Sequence, residues 1–139
     1  MTIYPRLSDW ETRLHDYLAS MANAKHVYGV SDCALFASGA VLAMTDYDPA
    51  AEFRGKYKTE LGAARVLRSI GEGDLESTFD AKFPEIEVGF ARRGDIIWDG
   101  ENAGICFGAF AFFMGAKDSD DGIVRLPRTA FVKAWRVGE

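Results

Sequence analysis

The stretch Val27-Tyr28-Gly29-Val30-Ser31-Asp32-Cys33-Ala34-Leu35-Phe36 decides how this chain is read. Gly29 interrupts a short connecting segment, and Ser31-Asp32 then supplies a helix N-cap, because a short oxygen-bearing side chain there accepts from the first unpaired backbone N–H groups. From Cys33 through Ala43 the residues are small and apolar on nearly every side. A helix apolar all round has to be buried, so the pattern predicts a central helix with a cysteine at its first position.

Working outward, Ser8-Asp9-Trp10-Glu11 reads as a capping box upstream of that helix. Trp10, Leu14, Tyr17, Leu18 and Met21 follow at helical spacing and predict a first amphipathic helix of about four turns. Residues 24–30 form the linker. Downstream, 46–55 reads as a turn and a short helix begun by Pro49, and a further helix runs from about Thr59 to Ile70, stopped by Gly71. Beyond Gly73 the texture changes to short strand candidates: 86–88, 95–98, 104–108, 110–114, 123–126 and 132–137. Arg92-Arg93-Gly94-Asp95 and Asp118-Ser119-Asp120-Asp121-Gly122 are the clearest turns between them. Helices first and strands second predict an α+β fold, an N-terminal helical part packed on a C-terminal antiparallel sheet, as a single domain over 1–139.

Composition narrows the function. The 139 residues are 48% hydrophobic and 13% aromatic, enough for an ordinary folded core. With 16 Lys and Arg against 21 Asp and Glu, the net charge is −5, which argues against a nucleic-acid surface. Two cysteines, Cys33 and Cys106, are too few for a disulfide scaffold. With two histidines, His15 and His26, and no CxxC pair, no metal site and no cofactor are expected. The first residues lack the apolar run of a signal peptide, and the longest apolar stretch, 103–116, is too short to span a bilayer as a helix. The expectation is a soluble, cytoplasmically made protein with no membrane role.

Cys33 is the residue with chemistry to offer. A thiolate at a helix N-terminus faces free N–H groups and the positive end of the helix dipole, which lowers its pKa. That effect is worth about 0.3–1 kcal/mol, under about one pKa unit. From a free thiol near ~8.5, the dipole alone leaves the thiolate a minority species at neutral pH. A catalytic cysteine therefore needs a histidine to hold the proton. The plainer alternative is that Cys33 is a small buried hydrophobe.

The 27–36 stretch resembles the signature of the NlpC-type, papain-like cysteine peptidases, in which an aromatic-Gly segment leads into Asp-Cys at the head of a central helix. Gly94-Asp95-Ile96-Ile97 resembles that family's Gly-Asp-aliphatic strand. Asn102-Ala103-Gly104-Ile105-Cys106-Phe107-Gly108 resembles the strand that follows it, usually His-Val-Gly-Ile ending in Gly. With Trp10-Glu11, Arg13-Leu14, Phe53-Arg54-Gly55 and Ala134-Trp135-Arg136-Val137, the chain is similar to a group of phage-tail and prophage proteins. The resemblance implies an NlpC/papain-like fold, Cys33 as nucleophile, Tyr28 lining the substrate cleft, and Asp32 at the helix cap beside the substrate; from the residues alone Tyr28 reads equally well as a core aromatic.

One departure matters most. The family histidine is replaced by Asn102, and no histidine follows Cys33. An amide cannot take the thiol proton, so Asn102 leaves Cys33 without its usual base. His26, on the segment entering the helix, is the remaining candidate base, its plainer reading being a satisfied surface or rim histidine; His15, beside Asp16 and opposite the apolar stripe, reads as solvated. Asp95 reads as a turn anchor and Cys106 as an inert core residue. The Phe107, Phe110, Phe112 and Phe113 group reads as packing, and Asp118 to Asp121 as a solvated turn.

Two functions follow from the resemblance. The first is a catalytically impaired NlpC-like domain acting in phage-tail assembly or peptide binding, with tail proteins as partners and virion association as its destination. The alternative is an active cysteine peptidase or amidase that cleaves peptidoglycan stem peptides with Cys33 and a non-standard base.

Overall fold

A computed structural model describes residues 3–138. Four helices, α1 (Trp10–Ser20), α2 (Cys33–Thr45), α3 (Glu60–Ser69) and α4 (Leu75–Lys82), precede β1 (Glu85–Ile86), β2 (Ile96–Trp98), β3 (Ala103–Cys106), β4 (Phe110–Met114), β5 (Ile123–Pro127) and β6 (Lys133–Trp135). Short 3-10 turns sit at Val88–Phe90 and Arg128–Ala130. The strands form one antiparallel sheet in the order β1-β6-β2-β3-β4-β5. The α+β organisation, helices first and sheet second, is as the sequence predicts.

α2 is the buried helix. Asp32 caps it by accepting from Leu35 N, and Phe36, Ala37, Ala40, Val41 and Met44 are at most 1% exposed. Burying each of its large side chains is worth about 1.5–3 kcal/mol, far more than helix propensity supplies to residues of this kind. α1 packs against it with Leu14 and Leu18 buried. The two helices come close at Gly39, where an added Cβ would collide with the Tyr17 hydroxyl. That hydroxyl donates to Phe36 O at 2.7 Å, so the contact is both steric and polar.

Strand alternation sorts the sheet residues into two layers. Ile96, Trp98, Ala103, Ile105, Met114 and Trp135 face the helices and share their core. Ile97, Cys106, Ala111, Phe113 and Ala134 face the other way, under Ala91 and Phe131. With cover on both faces, β2 and β3 are wholly buried despite lying in an antiparallel sheet. Among the described residues no helix is long and apolar enough to cross a membrane.

Several local expectations are corrected. The Ser8 capping box does not form: α1 starts at Trp10 after Asp9, with no side-chain cap. The Asp9 carboxylate instead accepts from Arg13 Nε at 2.8 Å, an i,i+4 pair that competes for the capping oxygen. The helix is also shorter than four turns, at 11 residues. Residues 46–55 form consecutive turns and no helix, because the Asp48 carboxylate is drawn to Ala50 N and to Arg54. α4 lies where the sequence suggested only a change of texture. Asp74 caps it through Ser77 N, and Trp135 Nε1 and Lys133 fasten it to β6 by way of Asp80.

Asp95 is more than a turn anchor. Fully buried, it accepts from Arg6 Nη2 (3.0 Å), Arg136 Nε (3.1 Å), Arg92 N (3.0 Å) and Val137 N (3.1 Å). One carboxylate thus satisfies two guanidinium groups and two amides, which is what makes burial of a charge tolerable.

Candidate functional site

Two loops and the start of α2 build the site. Gly29, at φ +81°, turns the 24–32 segment so tightly that a Cβ there would collide with Tyr57 O. Gly55 N donates to Gly29 O at 3.2 Å, joining this segment to the 46–57 turns. Asp32 is the hub: Oδ1 accepts from Leu35 N at 3.0 Å, and Oδ2 from Gly29 N at 3.0 Å and the Tyr57 hydroxyl at 2.5 Å. It is 4% exposed, so its oxygens serve the protein's own donors, as its capping role requires. Burial, with the Asp32 carboxylate beside it, pushes the Tyr57 phenol up and keeps it a hydrogen-bond donor.

These elements enclose a pocket of about 290 Å³. All five site residues read from the sequence line it: His26, Tyr28, Asp32, Cys33 and Asn102. His26 sits edge-on to Tyr28, ring centroids 4.7 Å apart, and its Nδ1 is buried with no hydrogen-bond partner among the described residues. Asn102 is exposed at the rim, its backbone N–H donating to Asp99 Oδ1 at 2.7 Å. His15 is exposed on α1 and takes no part.

Cys33 is partly exposed, yet its thiol is pushed up to about 11. Loss of solvent is the largest cause. The Ala103 and Ala34 N–H groups act the other way, while the Asp32 and Asp99 charges raise the pKa further. The helix-end effect expected to lower this pKa is present and is outweighed, since a buried thiolate loses more hydration than two amides return. At neutral pH Cys33 is a thiol, with the N–H of Ala103, the residue after Asn102, beside its sulfur.

Sequence reading missed much of the wall. Tyr57, Phe53, Leu67 of α3 and Phe79 of α4 all line the pocket, together with Glu60 and Glu101. No residue of α3 is buried, although its apolar positions recur at helical spacing, and Leu61 is 58% exposed. The face of α3 that walls the cavity carries Ala63, Ala64 and Leu67, at helical spacing, and that pattern was available in the sequence. Among the described residues no group of three His, Cys, Asp or Glu side chains could hold a metal ion.

Cys106 lies on the opposite layer of the sheet, fully buried, its thiol pushed up by burial. Arg128 approaches its sulfur at 3.9 Å while donating to Gly108 O and Val88 O. It stands apart from the pocket.

No curated protein matches the chain. A family model described as a domain of unknown function, DUF6950, matches residues 5–137, nearly the whole chain, and the protein therefore belongs to that family.

Proposed function

We propose that this protein is an NlpC/papain-like domain that has lost catalytic competence and binds peptides in the Cys33 pocket, in the phage-tail setting that its sequence resemblance implies. The observation that carries this reading is the state of Cys33. Its thiol is pushed up to about 11, and the charges acting on it, Asp32 and Asp99, are negative and retain its proton. A papain-like nucleophile needs the opposite, a cationic imidazolium beside the sulfur. Asn102, at the rim next to Ala103, supplies an amide at the family's histidine position. At about 290 Å³ the pocket is near the lower end of the range of ligand sites and has room for a large side chain of a peptide.

One observation favours the second reading, a working peptidase or amidase directed at peptidoglycan stem peptides. His26 shares the pocket with Cys33, and its Nδ1 has no hydrogen-bond partner among the described residues. An imidazole with a free nitrogen is chemically able to take a thiol proton if the ring reaches the sulfur.

The alkylation rate of Cys33 against pH, in a Cys106→Ala background with and without His26→Ala, separates the two. A rate that rises only toward pH 11 and ignores His26→Ala supports the binding domain. A plateau below about pH 7 that His26→Ala abolishes overturns it in favour of an ion-paired nucleophile.

A further inference from the structure

The lining of the Cys33 pocket includes two carboxylates with no cationic partner among the described residues. Glu60 opens α3 and Glu101 lies in the β2–β3 turn; they belong to elements that converge on the pocket, and both are exposed. Neither takes part in an ion pair among the described residues, whereas the rim cation, Lys82, is held by Glu52 at 3.0 Å. The same pocket is lined by the apolar side chains of Phe53, Leu67, Leu75 and Phe79. Glu60 also lies in the first turn of α3, where a negative charge favours the helix. Glu101 has no such duty.

We infer that the pocket takes a peptide segment which buries a large aliphatic side chain against Leu67 and Phe79 and sets a neighbouring lysine between Glu60 and Glu101. This rests on the peptide-binding reading above and specifies its ligand. The apolar walls supply affinity through burial, which a glycine in place of the aliphatic residue cannot match. The two rim carboxylates supply selection by sign, since a charge at a wet rim discriminates between like and opposite charge more than it tightens binding. His26 also lines the pocket, and its Nδ1, without a hydrogen-bond partner among the described residues, provides hydrogen-bonding capacity for the peptide backbone.

The test is an NMR titration of the full chain with three capped tetrapeptides, acetyl-Ala-Leu-Lys-Ala-amide and the same peptide with Glu for Lys or Gly for Leu. Capping removes terminal charges, so that any preference belongs to the side chains. The Leu-Lys peptide is expected to shift the amides of α3 and of the β2–β3 turn, and to bind at least about fivefold more tightly than either substitute. That advantage over the Leu-Glu peptide should shrink between about 0.02 M and 0.5 M salt. It should vanish in a Glu60→Gln, Glu101→Gln double variant, whose exposed positions let the chain stay folded with the loss of one helix-end charge. Equal affinity for the Lys and Glu peptides, or shifts confined to another face, overturns the inference. The outcome is separable from that of the thiol measurement. A lysine preference alongside a reactive Cys33 removes only the non-catalytic reading, and an inert Cys33 with no lysine preference removes only this one.

Discussion

The Tyr57 hydroxyl donates to Asp32 Oδ2 at 2.5 Å across 25 positions of sequence. The bond joins the end of the 46–57 turns to the cap of the Cys33 helix, so the pocket floor and one wall are set by the same carboxylate. Because Asp32 also holds Gly29 N and Leu35 N, the phenol is one of three donors that share it.

Tyr57→Phe removes a hydrogen bond to a charged group and should cost about 1.5–3 kcal/mol. Asp32→Ala strands all three donors and removes the helix cap, so its cost should exceed that of Tyr57→Phe by at least about 1 kcal/mol. Urea unfolding of both variants checks the order. Equal losses would mean that Tyr57 carries the whole effect of Asp32.

Stability should fall in alkali through Cys33. Its pKa is raised in the folded protein, from 9.0 to about 11, so folding favours the protonated thiol. That contribution is fully present below about pH 9, declines as the unfolded chain ionises first, and is lost as pH reaches about 11. A rise of that size corresponds to about 2–3 kcal/mol. Cys33→Ala should therefore flatten the decline in unfolding free energy between about pH 8 and 11 relative to the parent; an identical slope would show that the thiol ionises as freely folded as unfolded.

Gly39→Ala sets two effects against each other. Helix propensity gains up to about 1 kcal/mol, but the new methyl would collide with Tyr17 Oη and sit 2.7 Å from the ring carbon bearing it. Overpacking of this kind costs about 1–3 kcal/mol, and the hydrogen bond to Phe36 O is put at risk as well. A net loss of thermal stability is expected, and a rise in Tm would mean that α1 shifts freely on α2.

Asp95→Ala leaves the Arg6 and Arg136 guanidinium groups without their carboxylate and should cost about 3–5 kcal/mol. Combining Asp95→Leu with Arg6→Met should lose less than the two single changes added together, since the pair is removed as a unit. Strict additivity in denaturant melts would show that the two groups do not act on one another.

Features that depend on neighbours in sequence were legible in the chain itself. The all-apolar run after Asp32 located α2, and the strand runs 110–114 and 123–126 match β4 and β5 to within a residue, because periodicity and capping are local properties. Asp32, Cys33 and Asn102 likewise fall in one pocket with His26 and Tyr28. Features set by partners distant in sequence stayed hidden. α4 has a weak amphipathic pattern and is held by Lys133 and Trp135, more than 50 positions away. Asp95 looks like a turn residue in sequence because its guanidinium partners lie 89 positions before it and 41 after it. The direction of the thiol pKa was hidden too, since desolvation is a property of the closed pocket and not of the helix end alone.

Arg6 donates both to Asp95 and to Val137 O, and a side chain on Gly138 would collide with Arg6. The first and last described stretches therefore leave the domain from one spot. A polypeptide could enter and exit there through neighbouring threads, so the domain is suited to being carried as a cassette inside a larger chain with short connectors on either side. By the same logic, joining the two ends and reopening the chain at the exposed 116–118 turn would give a permuted protein with the Asp95 knot and the pocket intact.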